Sequence, residues 1–129
     1  LHLGGKAVAR EGNFFEPTVL SDVNADMNLV TDEIFGPVAP LIAFDSEDEV
    51  IFAANNTIYG LAAYLYSENL SRIMRVSRQL EYGMVGINTG LMSNEVVPFG
   101  GVKQSGLGRE GPKYGIEDFM ETKYLCIAV

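Results

Sequence analysis

The sequence contains one cysteine, one histidine and no tryptophan, and each scarcity excludes a class of protein. Cys126 alone cannot build an intrachain disulfide framework, and His2 alone cannot nucleate a histidine-rich metal cluster, so no metal site is expected and the expected setting is cytoplasmic. Basic residues are also few. Nine Lys and Arg stand against 17 Asp and Glu, giving a net charge of −8 and a pI near 4.5. That balance disfavours duplex nucleic acid as a partner, because displacing counterions from phosphates needs a basic footprint. No apolar run approaches the roughly 20 residues that span a bilayer, and Leu1-His2-Leu3-Gly4-Gly5 is not a signal peptide. Neither membrane nor export is expected. The first methionine is Met27, so the 129 residues are expected to be a fragment.

Enough is present for a core. A chain of this size can bury roughly two thirds of its unfolded surface, and 47% hydrophobic with 20% charged residues is a globular composition. Residues 1–30 read as short strands joined by turns at Gly4-Gly5 and Gly12-Asn13, with Thr18-Val19-Leu20 extended after Pro17. The nearly continuous apolar run Pro40–Phe44 reads as a strand buried on both faces. Ser46 with Glu49 three residues later matches a capping box, which starts a helix that ends in Asn55-Asn56. Leu61–Tyr66 reads as a buried strand. A helix over about Asn69–Tyr82 follows, with Leu70, Ile73, Met74 and Leu80 inward and Gly83 placed to cap it. Its Arg72, Arg75 and Arg78 line a face read as solvated. Met84–Ile87 is the next strand. Strands alternating with helices predict βαβ units, a parallel sheet and an α/β class.

After Asn88 the pattern changes. Thr89–Gly111 holds six glycines and no sustained periodicity, a length at which irregular connections are usually functional. A short helix is expected around Pro112–Met120, with Pro112 near its first turn. Tyr124–Val129 is apolar on both faces with no breaker before the terminus. An open edge of that kind invites pairing, so it reads as a strand added to another sheet, in a second subunit. The expected division is 1–97, a set of βαβ units; 98–120, a Gly-rich loop and short helix; and 121–129, an oligomerisation strand.

Few motifs survive scrutiny as chemistry. Gly106, Gly108 and Gly111 match G-x-G-x-x-G, but no buried strand delivers the chain into that turn, and an acid about 20 residues on would lie past Val129, so a tight loop is the better reading. Cys126, between Leu125 and Ile127, reads as a buried structural thiol and not as a nucleophile. No Ser-His-Asp set is expected around one terminal histidine. Asp45, Glu47, Asp48 and Glu49 belong to a helix first turn, where the macrodipole favours acids. The segment Thr31–Val38 is the most informative. Glu33 and Phe35, stopped by Gly36-Pro37, can put a carboxylate and a ring on one wall of a cleft. The carboxylate is acceptor-only and suits a sugar diol, while the ring suits a planar base. Spacing alone leaves this open beside the plainer reading, an exposed acid next to a core aromatic.

Four stretches, taken together and in order, carry a resemblance: Phe15–Leu20, Glu33–Val38, Ala54–Ala63 and Pro98–Glu110. The chain resembles the C-terminal part of the aldehyde dehydrogenase superfamily over nearly its whole length. Gly90–Asn94 and Lys113–Asp118 look most like the succinate-semialdehyde dehydrogenases. The resemblance implies NAD- or NADP-dependent oxidation of a small aldehyde, here succinate semialdehyde, through a cysteine thioester. It implies that Glu33 holds the nicotinamide ribose hydroxyls and that Phe35 lies beside the ribose and nicotinamide. It implies that Ser93 helps bind a substrate carboxylate, that Phe99 lies by the substrate tunnel, and that the last strand makes a homo-oligomer. The nucleophile, general base, oxyanion-hole asparagine, cofactor domain and carboxylate-binding arginines of that family are expected upstream. No catalytic residue is therefore assigned, and the isolated chain is expected to be inactive. A different small aldehyde, or a stand-alone oligomerisation module, are the alternative readings.

Overall fold

Turn chemistry and short apolar runs decide the first part of the chain. In the computed structural model, which describes residues 1–111 and 113–129, two compact units form, Leu1–Ser46 and Glu47–Val129. The units divide between Ser46 and Glu47.

In the first unit, Pro17 sends the chain into strand β1 (Thr18–Leu20), which pairs in parallel with β2 (Val38–Pro40) in the register Thr18↔Val38 to Leu20↔Pro40. The connection carries a one-turn helix, α1 (Asn28–Thr31), which the sequence reading did not anticipate. Antiparallel bridges Leu3↔Val19 and Ala7↔Phe15 lay the N-terminal segment on β1, with Gly4, Gly5 and Gly12 supplying left-handed turns. Thr18 is buried and satisfied: its hydroxyl accepts from the Gly5 amide at 2.8 Å and donates to the Glu16 carbonyl at 2.8 Å. Val23 is the buried apolar residue of this unit. The expected strand Pro40–Phe44 is corrected to Val38–Pro40, and Leu41, Ile42 and Phe44 are exposed. The reason lies in the partner. After Leu20 the chain turns at Asp22, whose φ is 57°, so β1 stops and only Leu41 N–H still reaches it, donating to the Leu20 carbonyl at 2.8 Å.

In the second unit, α2 (Glu47–Asn55) begins directly after Ser46, with Glu47, Asp48 and Glu49 in its first turn. Strand β3 (Ala62–Leu65), helix α3 (Leu70–Gln79) and strand β4 (Met84–Ile87) then form a parallel βαβ unit, in the register Ala62↔Met84 to Leu65↔Ile87. The parallel pairing was expected; it is realised as two separate two-stranded sheets. Asn69 caps α3, its side-chain oxygen accepting from the Arg72 amide at 2.9 Å. Ile51, Ile73 and Val76 are buried, whereas Leu70 and Met74 of the expected inward face are exposed.

Helix α3 also ends earlier than expected, and Gly83 does not cap it. Its end is tied down by Asn55, whose side chain donates to the Gln79 carbonyl at 2.8 Å and accepts from the Glu81 amide at 2.9 Å. Gly83 is required for a different reason: a Cβ there would run into the carbonyl oxygen of Gly100. Arg72 and Arg75 are not simply solvated. Both engage Glu47 of α2, Arg72 Nε at 3.2 Å and Arg75 Nε at 2.5 Å, with Arg75 Nη2 at 2.9 Å.

The C-terminal expectations change most. Only a 3₁₀ turn, Glu117–Phe119, stands where a helix over 112–120 was expected, and Pro112 itself lies outside the described residues. Residues 121–129 belong to no strand within this chain, with Tyr124 84% and Ile127 78% exposed. Cys126 is exposed and not buried. An extended apolar segment becomes a strand only against a partner edge, and burial of its thiol would have followed from that pairing.

Candidate functional site

The candidate residues divide between the two units. In the first, α1 closes with the Asp32 amide donating to the Asn28 carbonyl at 2.8 Å, and β2 starts where the Pro37 carbonyl accepts from the Thr18 amide at 2.8 Å. Glu33, Ile34 and Phe35 are strung between these two fixed points, in neither helix nor strand. Glu33 is exposed, and the Phe35 ring is 92% exposed. Phe35 is therefore not a core aromatic of this unit. An exposed ring offers a flat apolar face, and an exposed carboxylate offers only acceptors. An acceptor beside a flat ring suits a nicotinamide riboside, whose ribose diol donates and whose ring stacks, so the residues present fit the group.

In the second unit, Asn88 closes the carboxyl ends of β3 and β4. Its side chain accepts from the Ser67 amide and donates to the Ser67 carbonyl, both at 2.8 Å. The chain leaves this end as the Gly-rich loop, the place where open α/β sheets carry their binding loops. An Asx turn follows, with Asn94 Oδ1 accepting from the Val96 amide at 2.9 Å. Phe99 then pairs with Glu110 through two backbone bonds, 3.0 Å from the Phe99 amide and 2.7 Å from the Glu110 amide. The result is a cleft of about 350 Å³ whose walls include Ser93, Glu95, Phe99 and Glu110. Ser93 and Phe99, expected from separate motifs, are thus brought to one cleft.

Two carboxylates in that cleft weigh against an anionic ligand. Arg109 does not line the cleft; its Nη1 is turned to the carbonyls of Gly101 and Gly108, each at 2.7 Å. The glycine pattern is a tight loop, as expected. Gly106, Gly108 and Gly111 all take positive φ, and a 3₁₀ turn, Lys103–Ser105, precedes them in place of a buried strand.

Two other features resemble chemistry and are not. His2 Nε2 lies 2.7 Å from Ser21 Oγ, and Ser21 Oγ lies 3.0 Å from Asp22. The serine donates to Asp22 Oδ2, so the histidine donates to the serine, which is the reverse of a general base. Glu47 carries the one perturbed carboxylate among the described residues: hydrogen bonding from Arg75 first, then the nearby charges of Arg75 and Arg72, hold it below the usual range. It serves the α2–α3 tie. No group of three or more His, Cys, Asp or Glu among the described residues can hold a metal, and no described helix is long and apolar enough to cross a membrane.

What sequence reasoning missed is Lys103. Its ammonium donates to the Asn55 carbonyl at 2.7 Å and the Thr57 carbonyl at 3.2 Å, and it pairs with Glu81 at 2.7 Å. The one signal in the sequence was negative: a lysine, not a glycine, among turn-forming glycines.

Residues 1–125 match the model described as the aldehyde dehydrogenase family. The chain is 61% identical over 126 residues to the NADP(+) succinate-semialdehyde dehydrogenase of Escherichia coli, covering 98% of this chain and 26% of that protein. It is 62% identical over 126 residues to a glutarate-semialdehyde dehydrogenase of Pseudomonas putida, again 98% and 26%. Among solved structures, the succinate-semialdehyde dehydrogenase from Burkholderia pseudomallei superposes with a TM-score of 0.92 at 62% identity, over 98% of this chain and 26% of that one. The chain therefore spans about a quarter of the length of the relatives it matches.

Proposed function

The chain belongs to the aldehyde dehydrogenase family, and from that premise we propose that it is the C-terminal portion of an enzyme that oxidises a short carboxylate-bearing aldehyde with NAD or NADP. The observation that carries the reading is the meeting of Ser93 and Phe99 on one cleft, in a chain about 60% identical to two semialdehyde dehydrogenases. The substrate choice between them rests on the rest of the enzyme, since both are equally similar here. The Escherichia coli relative is an NADP(+) enzyme, which favours NADP while NAD stays open.

When bound, the nicotinamide supplies the hydride acceptor. Glu33 accepts from its ribose hydroxyls, and Phe35 gives its ring a face to lie against. Ser93 donates to the aldehyde's distal carboxylate, and Phe99 shapes the wall beside the aliphatic part. Glu95 and Glu110 make the cleft unfavourable for an anion by itself, so cations supplied by the remainder of the enzyme must outweigh them. Neither the thiol that adds to the aldehyde nor the base that activates water is assigned to this chain; Cys126 lies on the terminal segment and takes no part. Removing a nucleophile removes the covalent route, so the 129 residues alone are inactive.

Residues 121–129 pair with a sheet edge of a second copy, a reading supported by the exposed, apolar run that holds Tyr124, Leu125, Ile127 and Val129. A cytoplasmic setting accords with the single, unpaired cysteine. The test is an NAD(P)H-forming assay on the full-length protein with succinate semialdehyde, glutarate semialdehyde and an uncharged aldehyde. Preference for a semialdehyde is expected; preference for the uncharged compound would sink the assignment.

The second reading, a stand-alone oligomerisation module, is favoured by the exposed terminal segment alone. Gel filtration of the 129 residues and of a version cut before Tyr124 separates the two: a monomer in both cases removes the module.

A further inference from the structure

We propose that Lys103 is a positioning residue for the substrate cleft, fixing the loop that carries Phe99 to the end of helix α2. This rests on the substrate reading above. The four terminal carbonyls of α2 have no partners within the helix. Phe52 and Ala53 accept from the Asn56 amide at 3.0 and 3.3 Å, Ala54 accepts from the Tyr82 hydroxyl at 2.6 Å, and Asn55 accepts both from the Thr57 amide at 2.8 Å and from Lys103 at 2.7 Å. Lys103 thus adds a charged donor to a carbonyl that already holds the Thr57 amide, and a cation is favoured at that end of the helix dipole. With the Thr57 carbonyl and Glu81, its ammonium has three acceptors for three N–H groups, and its side chain is 25% exposed.

The backbone at Lys103 is what turns a helix cap into a positioning device. Its φ is 55°, a region where side chains are strained, and Gly106, Gly108 and Gly111 of the same loop meet their positive φ with glycine. A strained conformation persists where its surroundings over-determine it, and here the surroundings are the three acceptors. The strain bends the chain into the 3₁₀ turn whose residues are stitched to the strand-entry loop: the Val102 amide to the Gly60 carbonyl at 3.0 Å, the Gln104 amide to the Ile58 carbonyl at 3.0 Å, and the Gly60 amide to Ser105 Oγ at 2.9 Å. Only residues 100–102 separate this anchor from Phe99. Arg109, next to the Glu110 that pairs with Phe99, holds the Gly101 carbonyl from the other side. Releasing Lys103 therefore loosens the wall that carries Phe99, although the other ties remain, and leaves Ser93 and the neighbouring Asn94 turn intact.

The test uses the full-length enzyme with Lys103→Met, Lys103→Arg and Glu81→Gln. Amide exchange at Phe99 and Glu110 and steady-state kinetics with succinate semialdehyde are measured together. In Lys103→Met both amides lose protection and the aldehyde KM rises about 10-fold, the scale on which misplacing a binding wall acts, with a smaller change in kcat. Lys103→Arg restores part of the KM, and Glu81→Gln, which keeps a neutral acceptor on an exposed side chain, moves it about 2-fold. Unchanged protection overturns the proposal. So does lost protection with KM unaltered and activity falling only with the folded fraction, because that is a purely structural cap. If Lys103→Met does not fold, Lys103→Arg and Glu81→Gln decide by the same criteria. Wild-type enzyme that oxidises no semialdehyde sinks the substrate reading instead, and the exchange data then still decide whether Lys103 holds the loop.

Discussion

The two units carry their candidate residues in opposite ways. Glu33 and Phe35 stand on an exposed connection between α1 and β2, held only at its ends. Ser93 and Phe99 stand on a loop that is longer and richer in glycine, yet it is fastened by Asn94, Lys103, Ser105 and Arg109. The lesson is that glycine content alone does not measure looseness. The loop's glycines serve close approach and left-handed turns, and side-chain hydrogen bonds to backbone carbonyls supply the rigidity.

Perturbing the fastened unit should therefore cost more than perturbing the exposed connection. The largest effect is expected at Gly83→Ala. The new methyl meets the Gly100 backbone carbonyl, which cannot swing aside, so the full-length protein loses about 2–3 kcal/mol by denaturant unfolding; a loss under about 0.5 kcal/mol would break the contrast. Asn55→Ala comes next. It removes two bonds that hold the end of α3 and costs about 1–2 kcal/mol, read as a lower unfolding midpoint at unchanged slope. Phe35→Ala removes an exposed ring and shifts the midpoint by less than about 0.5 kcal/mol, while weakening cofactor binding measured by fluorescence titration. A large stability loss there would mean that the connection is packed after all.

The smallest effect is expected at Glu47. Its folded pKa is depressed by Arg75 and Arg72, so the stabilisation it brings is present above its unfolded value, about 4.5. That stabilisation is lost as pH falls through the lower folded value. Glu47→Gln should flatten the acid limb of the stability curve and leave neutral pH nearly untouched, because the pair is exposed. A Glu47→Gln protein that titrates like wild type would remove this tie from the account.

What could be read in advance follows the range of the interactions. The β3–α3–β4 unit was readable because Asn69 caps a periodic helix between two apolar runs, all local signals. The start of α2 after Ser46 was readable for the same reason. The run Pro40–Phe44 misled because strand length is set by the partner, and β1 ends at the Asp22 turn. The Asn55 tie to α3 and the Lys103 tie to α2 join residues 24 to 48 apart, and nothing in residue type announces such a contact. Cys126 misled because an apolar neighbourhood in sequence was taken for burial, which the terminal segment achieves only against another edge. Of the candidate site, the residue types of Glu33 and Phe35 suggested a role, and Ser93 and Phe99 gained theirs only through the motifs of a family.

The central claim is a division of labour: Glu33 serves the cofactor and Ser93 the substrate carboxylate. It is tested most directly by the ratio of kcat/KM for succinate semialdehyde to that for propanal, measured in the full-length enzyme for Glu33→Gln and Ser93→Ala. Losing a hydrogen bond to a charged group lowers the ratio about 10-fold or more in Ser93→Ala, whereas Glu33→Gln slows both aldehydes alike and leaves the ratio unchanged. A ratio that stays constant in Ser93→Ala, or that falls in Glu33→Gln, would contradict the account.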